Sequence, residues 1–408
     1  MRGGLLAAVA VASLAVGSAA QAQRLAGARP DLTSDEGGLW SVSDKAEIGA
    51  RQSAELDRDP ALNAYVRDVA CKVARDHCDD IRVYVMDRPF FNASMAPNGY
   101  TEVWSGTLLR AADEAQLAFI LGHEISHFDR NHSLTSWRRR KSTANAMMVL
   151  SVGVAVAGAA AASSAHTYDG ASSIMDATRG LIDVVYLAGM ASLFGFDRTN
   201  ELEADRLGLG RAAQAGYRPA AATEIWRAQM DEVQASDFKR VRNSGARTNI
   251  FASHPVDAER IQALQADLKA LPDAGAPGRA RHRAAIRPHL AAWLRDDLRR
   301  RDFGQTLHLI GRLARDGEDL GVLNFYRGEA YRQRRGDGDL TLAREAYLAA
   351  SAYPDAPVAV WRELGDLRRK EGDPASAKAA YDSYLTKAPA AEDAWIVQDS
   401  LNSLTSGK

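Results

Sequence analysis

The chain reads EAQLAFILGHEISHF over residues 114–128, and this stretch predicts a helix because it has no proline and its apolar residues recur at helical spacing. Positions i and i+4 share one face of a helix, so His123 and His127 point the same way, one turn apart. Two imidazoles at this spacing can hold one metal ion, and Glu124 beside them could take a proton from an activated water. The stretch indicates a metal-dependent hydrolase, although the same pattern also arises by chance in long helices.

A second stretch, NELEADRLG at residues 200–208, supplies acidic side chains on another predicted helix. Glu201 and Asp205 stand at i and i+4 and share a face, whereas Glu203 lies about 200° round the helix from Glu201. We predict that Glu201 is the third metal ligand and that Asp205 accepts a hydrogen bond from a ligand histidine. A solvated acidic helix face is the alternative, and only the presence of the two histidines disfavours it.

Other candidates for the third ligand fit less well. His132 is predicted to lie about 140° away from His127 on the same helix. The longer metzincin pattern needs glycine at position 130 and histidine at position 133, where this chain has Arg130 and Ser133. Glutamate is therefore favoured over histidine as the third ligand.

The composition is that of an ordinary globular protein, with 408 residues, 46% hydrophobic and 25% charged residues and a formal net charge of −1. This length predicts two or three domains. The charge balance does not indicate nucleic acid as a partner.

Residues 1–22 have the features of a secretory signal peptide. Arg2 precedes the apolar stretch 5–16, and Ala20-Gln21-Ala22 offers small residues for cleavage after Ala22. The alternative, a membrane anchor, is disfavoured because the apolar stretch is short for a membrane span. A periplasmic location is therefore expected.

Cys71 and Cys78 are the two cysteines of the chain. An even pair in an exported protein favours a disulfide, which would close a short loop between a helix end and the next strand. Two free, buried thiols are the alternative. Zinc binding together with His77 is disfavoured, because the spacing matches no usual site.

The region ahead of the His-Glu-x-x-His stretch predicts two helices, a strand and a hairpin. The predicted elements are a helix at 43–56 opened by Ser43, a helix from Asp59-Pro60 to about 76, a strand at 81–86, and strands at 92–96 and 100–104 joined by Pro97-Asn98-Gly99. Further on, the apolar run 144–162 begins with Ala144 and ends with Ala162. We expect it to form a buried or surface-docked helix; peripheral contact with a membrane, or a membrane span, is the alternative.

Ser253-His254-Pro255 precedes another predicted helix, which runs to about residue 268 with Pro255 in its first turn. On position alone, His254 is expected only to cap this helix. Reaching the metal or the oxyanion is the alternative.

Taken together, the three separated motifs resemble the HtpX/BepA-like family of zinc metallopeptidases, whose eukaryotic relatives are CAAX prenyl endopeptidases. The motifs are His123-Glu124-x-x-His127, Glu201-x-x-x-Asp205 and Ser253-His254-Pro255, and the resemblance extends over roughly residues 44–271. It implies a gluzincin-type fold, mainly α-helical with a small antiparallel β-sheet.

The same resemblance implies roles for individual residues. One zinc ion would be held by His123, His127 and Glu201, with Glu124 as the general base. Asp205 would not bind the metal but would form a hydrogen bond with one of its ligands. His254 would act as a transition-state partner or as a removable fourth ligand. The strand at Asn92 and Ala93 would bind the substrate backbone as an added strand.

The C-terminal third resembles tetratricopeptide repeats. Ala343 and Ala377, like Tyr347 and Tyr381, stand 34 residues apart, which is the period of that repeat. We predict an α-helical tetratricopeptide-repeat solenoid that binds a protein partner; a plain helical bundle is the alternative. The predicted organisation is a signal peptide (1–22), a zinc metallopeptidase domain (23–271), a linker with a connecting helix (272–298) and a repeat domain (299–408).

The sequence thus predicts a periplasmic zinc endopeptidase with a repeat domain that selects proteins. The family resemblance implies that these would be misfolded or stalled envelope and outer-membrane proteins. Two other hypotheses remain open at this point. The protein could be a chaperone or assembly scaffold with a latent or structural metal site. It could also be an integral membrane protease, if the run 144–162 spans the membrane.

Overall fold

In the computed structural model, which describes residues 27–140, 196, 198–243, 254, 258–272 and 274–405, helices surround one small sheet. The helices are α1 (Asp35–Gln52), α2 (Pro60–Ala74), α3 (Ser105–Arg110), α4 (Glu114–Asp129), α5 (His132–Arg140), α6 (Arg198–Gln214), α7 (Ala221–Gln234), α8 (Lys239–Asn243), α9 (Ala258–Leu268), α10 (Arg279–Ile286), α11 (Leu290–Arg299), α12 (Phe303–Leu313), α13 (Leu320–Arg334), α14 (Asp339–Ser351), α15 (Ala359–Lys370), α16 (Pro374–Lys387) and α17 (Ala394–Thr405). The strands are β1 (Arg82–Met86), β2 (Ala93–Met95) and β3 (Tyr100–Trp104). The mainly helical fold with a small sheet is confirmed, and α2 and β1 confirm the helix and strand predicted ahead of the hairpin.

The sheet has the strand order β1-β3-β2, with β1 parallel and β2 antiparallel to β3. The predicted hairpin is confirmed, and Gly99 at its turn has a φ of +84°, a conformation that glycine adopts without strain. The prediction of a wholly antiparallel sheet is wrong. The chain passes from β1 to the far edge to form β2, and the hairpin then returns β3 into the gap between them, so β3 runs in the direction of β1.

Helix α1 begins at Asp35, well before the predicted start at Ser43. Ser34 caps its first turn by accepting a hydrogen bond from the Gly37 N–H at 3.1 Å. Two glycines in this turn disfavour a helix locally, but Leu39 in the next turn is 1% exposed and its packing offsets that preference. The early start was missed because tertiary burial overrides the local signal.

Helices α4 and α6 cross where a glycine of one meets a glycine of the other. A Cβ at Gly208 would lie 2.7 Å from the backbone nitrogen of His123, and one at Gly122 would lie 3.0 Å from the Gly208 carbonyl oxygen. Only glycine allows the two backbones to approach this closely. The crossing places the first turns of α6, which carry the acidic motif, against the two histidines of α4.

The proline- and glycine-rich segment 271–278 lies against the region that precedes it. Ala276 forms a β-bridge with Tyr217, and the Pro277 carbonyl oxygen accepts a hydrogen bond from the Ala115 N–H at 3.0 Å, at the start of α4. The following helix, α10, is held by His282, whose Nδ1 lies 2.8 Å from the Tyr65 hydroxyl of α2. The C-terminal helices therefore continue from a segment that packs against α4 and from a helix, α10, that packs against α2.

The pairs α13/α14 and α15/α16 share one packing contact. A Cβ at Gly328 or at Gly365 would lie 2.4 Å from the ring of Tyr347 or Tyr381, respectively. The Tyr347 hydroxyl donates to Glu329 at 2.5 Å, and the Tyr381 hydroxyl donates to the residue that follows Gly365, Asp366, at 2.6 Å. The two helix pairs therefore repeat a glycine under a tyrosine ring, followed by an acid on the hydroxyl.

Among the described residues, no helix has both the length and the apolar character that crossing a membrane requires. The predicted signal peptide and the apolar run 144–162 lie outside the described residues.

Candidate metal centre

Four buried side chains converge at the crossing of α4 and α6. His123 and His127 come from α4, Glu201 comes from α6, and His254 stands ahead of α9; each offers one atom, and these atoms lie within 4.8 Å of one another. The structure therefore brings together the three predicted metal ligands and His254. His254, for which position alone predicted only a helix cap, has its ring among these donors, as the family resemblance implied.

The two histidines of α4 lie as the helical spacing predicts. Their Nε2 atoms are 3.0 Å apart, and each lies 3.6 Å from an oxygen of the Glu201 carboxylate. At most one of two facing nitrogens can carry the shared proton, so at least one lone pair is directed into the cluster. Lone pairs that converge in a buried site suit a cation.

His254 lies between the histidines and two carboxylates. Its Nδ1 is 2.9 Å from Glu201 Oε1 and 3.2 Å from His123 Nε2. Its Nε2 is 3.3 Å from Glu124 Oε1. The ring thus contacts both the candidate ligands and the candidate base.

Asp205 supports the cluster from behind, together with an arginine that the sequence analysis missed. Asp205 Oδ1 lies 3.0 Å from His123 Nδ1. Arg260 of α9 donates to both oxygens of Asp205 at 2.7 Å, and its Nη1 lies 2.7 Å from Glu201. Arg260 is 1% exposed and packs over the Trp226 ring at 5.1 Å. Its position one turn before the buried Leu264 was an available signal, since arginine on an apolar helix face needs a buried acid.

His132 contacts the side of the His127 ring that faces away from the cluster, whereas the sequence analysis placed it about 140° away on the same helix. Helix α4 ends at Asp129, Asn131 has a φ of +53°, and α5 begins at His132, so no single helix runs through both histidines. His132 Nδ1 lies 2.9 Å from His127 Nδ1. Phe196 stacks on the His127 ring with a centroid distance of 3.7 Å.

The charges of the site follow from burial and mutual contact. Burial lowers the pKa of His127 well below its ordinary value, which keeps this imidazole neutral. Burial raises the pKa of Glu124, the property expected of a general base in a dry site. Burial also disfavours charge on His254, but the carboxylates of Glu124 and Glu201 outweigh it and raise its pKa to about 8.

Glu201 and Asp205 keep their charge despite burial. Burial would raise the pKa of Glu201, but His254 and Arg260 outweigh that effect and the pKa is lowered. The same balance at Asp205, dominated by Arg260, lowers its pKa to about 2. Histidine nitrogens together with an ionised carboxylate are a donor set that binds Zn²⁺, so the residues fit a divalent metal of this class.

Among the described residues, strand β2 is an edge strand of the sheet, paired with β3 on one side. Asn92 accepts a hydrogen bond from the Trp104 N–H at 3.1 Å, and Ala96 donates to Tyr100 at 2.8 Å, so the even-numbered residues face β3. The backbone groups of Ala93 therefore point away from β3. Asn92 is also held in place by Thr107, whose hydroxyl donates to its carbonyl oxygen at 2.8 Å.

Cys71 and Cys78 are joined in a disulfide that links α2 to the 3-10 helix Arg75–Asp80. Neither belongs to the candidate metal cluster. His77 instead lies 3.2 Å from Asp80 and 3.5 Å from Asp129.

Comparison with known proteins gives a consistent result. The model of peptidase family M48 matches residues 56–268. The beta-barrel assembly-enhancing protease of Escherichia coli (strain K12) is 23% identical over 270 residues, which cover 63% of this chain and 50% of that protein. The Yersinia pestis protein of the same name is 23% identical over 202 residues, 47% of this chain and 39% of that protein. Mitochondrial metalloendopeptidase OMA1 of Bos taurus is 32% identical over 156 residues, 35% of this chain and 25% of that protein. The chain spans about half the length or less of these relatives.

Proposed function

Because the chain belongs to peptidase family M48, a family of metallopeptidases, we propose that it is a zinc-dependent endopeptidase. The observation that carries this proposal is the convergence of His123, His127 and Glu201 in one buried cluster with Glu124 beside it. In this proposal the three converging residues hold one zinc ion. Zinc bound there would polarise the peptide carbonyl and lower the pKa of a water molecule.

Glu124 takes the proton from the attacking water. It is 4% exposed, and burial raises its pKa, so its carboxylate accepts a proton more readily than a solvated one. The same carboxyl group then passes the proton to the leaving amine. Arg260 and Asp205 hold Glu201 and His123 in place through the short contacts described above.

His254 occupies the place that substrate and water need. A water that Glu124 deprotonates must lie within hydrogen-bonding distance of its carboxylate, and His254 Nε2 stands 3.3 Å from it. We propose that His254 is a removable fourth ligand that keeps the site latent. The alternative role, a hydrogen bond donated to the developing oxyanion, predicts the opposite result, that His254→Ala slows degradation.

The substrate would be an extended polypeptide that pairs with the outer edge of β2, on the side away from β3. The backbone groups of Ala93 face this edge, while Asn92 and Thr107 fix the strand from the other side. Only unfolded or incompletely folded segments can add a strand in this way, because the backbone of a folded protein is already paired. This geometry supports misfolded or stalled proteins as substrates.

The cellular setting rests on the N-terminal sequence and on the relatives. Two of these are named for enhancing the assembly of β-barrels, which supports outer-membrane proteins as substrates and the periplasm as the location. The C-terminal helix pairs, with their repeated glycine–tyrosine contact, would form a tetratricopeptide-repeat solenoid that binds a protein partner.

The test measures degradation of a dye-labelled, chemically unfolded outer-membrane β-barrel protein by the chain from residue 23 onwards. The variants are Glu124→Gln, His254→Ala and the two combined. We expect His254→Ala to degrade the substrate faster than wild type, and Glu124→Gln to lower the rate by about 100-fold or more in either background. A chelator should abolish the activity, and zinc should restore it.

Glu114→Gln provides a matched control, because Glu114 is also a buried acid of α4 but contacts Tyr217 and Arg281 and not the cluster. Its rate should stay close to wild type. If Glu124→Gln degrades the substrate as fast as its parent in both backgrounds, the proposal is wrong. That result would favour the scaffold hypothesis.

A further inference from the structure

The two histidines of α4 are held differently at the nitrogens that face away from the cluster. His123 Nδ1 lies 3.0 Å from a carboxylate oxygen of Asp205. His127 Nδ1 instead lies 2.9 Å from another imidazole nitrogen, Nδ1 of His132. A ligand imidazole usually donates this second N–H to an acceptor that fixes its tautomer and orientation. His127 therefore needs an acceptor, and His132 stands in that position.

His132 is in turn held by an acid. Its side chain is 4% exposed, and its Nε2 lies 3.3 Å from Glu203 Oε2. The other oxygen of Glu203 lies 2.6 Å from Arg130, whose side chain is 44% exposed. Phe196 lies against both rings, with centroid distances of 3.7 Å to His127 and 6.0 Å to His132. Both rings are thus confined.

Metal binding by His127 would determine which nitrogen carries the proton in both imidazole rings. For Nε2 of His127 to offer a lone pair, the proton of this neutral ring must be on Nδ1. That N–H donates to Nδ1 of His132, which must then be unprotonated. The proton of His132 is therefore on Nε2, where it faces the carboxylate of Glu203.

We propose that His132 is a positioning residue, which, supported by Glu203, fixes the tautomer and ring orientation of His127 for metal binding. This inference rests on the proposed ligand set. His132 is not itself a ligand, because it meets His127 at Nδ1, on the side of the ring opposite to Nε2. Glu203 lies on the face of α6 away from Glu201 and does not contact the metal site directly, but it supports the site through His132.

The test compares two substitutions in the metal-free protein from residue 23 onwards. In His132→Asn, an amide oxygen can replace Nδ1 as the acceptor for His127; in His132→Leu, a side chain of similar bulk has no acceptor. Zinc affinity is measured by competition with a chromogenic chelator. We expect His132→Leu to weaken zinc binding by about 10- to 100-fold, the usual loss for such a partner, and His132→Asn to recover most of it.

Two further variants and one stability measurement complete the design. Glu203→Gln keeps an acceptor without its charge and should give a smaller loss, whereas Arg130→Gln should bind zinc as wild type does. Urea unfolding of the metal-free proteins measures the effect of each substitution on stability without zinc. If His132 had only a structural role, the loss of zinc affinity in each His132 variant would parallel its loss of stability. Equal zinc affinity in wild type and His132→Leu would overturn the inference. No zinc binding by folded wild type would instead overturn the proposed function.

Discussion

Two buried clusters of polar and charged side chains differ in how their hydrogen-bond donors and acceptors are paired. One is the metal cluster, formed by His123, His127, Glu201 and His254. The other, here named the Arg110 network, consists of Arg110 of α3, Glu232 of α7 and Asp297 of α11, each 1% exposed or less. Burial alone does not tell them apart, so their hydrogen-bonding geometry must.

Each charge in the Arg110 network meets the opposite charge. Arg110 Nε donates to Glu232 at 2.9 Å, and its Nη2 donates to Asp297 at 2.7 Å. Asp297 accepts further hydrogen bonds from the Thr306 hydroxyl at 2.7 Å and from Arg300 at 2.8 Å. A buried ion pair with its hydrogen bonds satisfied needs no ligand.

In the metal cluster, by contrast, acceptors face one another. The Nε2 atoms of His123 and His127 are 3.0 Å apart, and each lies 3.6 Å from an oxygen of the Glu201 carboxylate. Such contacts leave lone pairs without enough protons, which a cation satisfies. The direction of the lone pairs, more than burial or charge count, therefore separates a binding site from a structural network.

The largest expected difference between the two clusters is in metal binding. Glu201→Ala and Glu232→Ala each remove one buried helical glutamate, and both are made in the His254→Ala background so that His254 cannot replace Glu201. We expect Glu201→Ala to weaken zinc binding by more than the roughly 10- to 100-fold that loss of an orienting partner causes. Glu232→Ala should bind zinc like its parent. Zinc content and chelator competition measure both.

Equal zinc affinity in Glu201→Ala and its parent would mean that the converging carboxylate is not a ligand. Weakened binding in folded Glu232→Ala would mean that the Arg110 network supports the metal site. Either result would break the distinction between the clusters.

A second expected difference is in stability. Arg110→Met removes the cation of the network and leaves Glu232 and Asp297 buried with fewer partners. We expect the free energy of unfolding to fall by about 3–5 kcal/mol, as when one partner of a buried ion pair is lost. Urea unfolding of the metal-free protein measures it. Arg300→Met, which removes an outer contact to Asp297, should cost less, and an unchanged midpoint in Arg110→Met would contradict the structural role.

The sequence predicted what one helix face or one turn determines. The spacing of His123 and His127, and the hairpin at Gly99, depend on residues within a few positions of each other. Arg260 and Arg110 were missed because their acids lie 55 and 187 positions away in the sequence, at Asp205 and Asp297. The periodicity of residues within a helix or strand gives no information about pairs so far apart in the sequence.

Two errors had the same physical origin. His132 was placed on the wrong side because α4 was assumed to continue, whereas it ends at Asp129 and the chain turns at Asn131. The family resemblance implied an antiparallel sheet, and the hairpin pattern covered only β2 and β3, whereas β3 also pairs in parallel with β1 across the intervening β2. The relative orientation of two helices or two strands cannot be read from the residue pattern within either one.

The smallest expected effect is the acid sensitivity of the Arg110 network. Burial alone would raise the pKa of Asp297, but Arg110 and Arg300 outweigh it and lower the pKa from 3.8 to about 2. A carboxylate whose pKa is lowered on folding stabilises the fold above its ordinary pKa, and this contribution is lost as the pH falls through about 2. The shift corresponds to about 2 kcal/mol.

Asp297→Asn removes this titration. Between pH 5 and pH 2, the free energy of unfolding of the metal-free wild type should therefore fall by about 2 kcal/mol more than that of the variant, as measured by urea unfolding at each pH. Parallel pH profiles would show that Asp297 does not depend on its charge in the folded state. A flatter profile with unchanged zinc affinity at pH 7 would sharpen the comparison, because the network would then contribute charge-dependent stability while the metal cluster alone binds the ion.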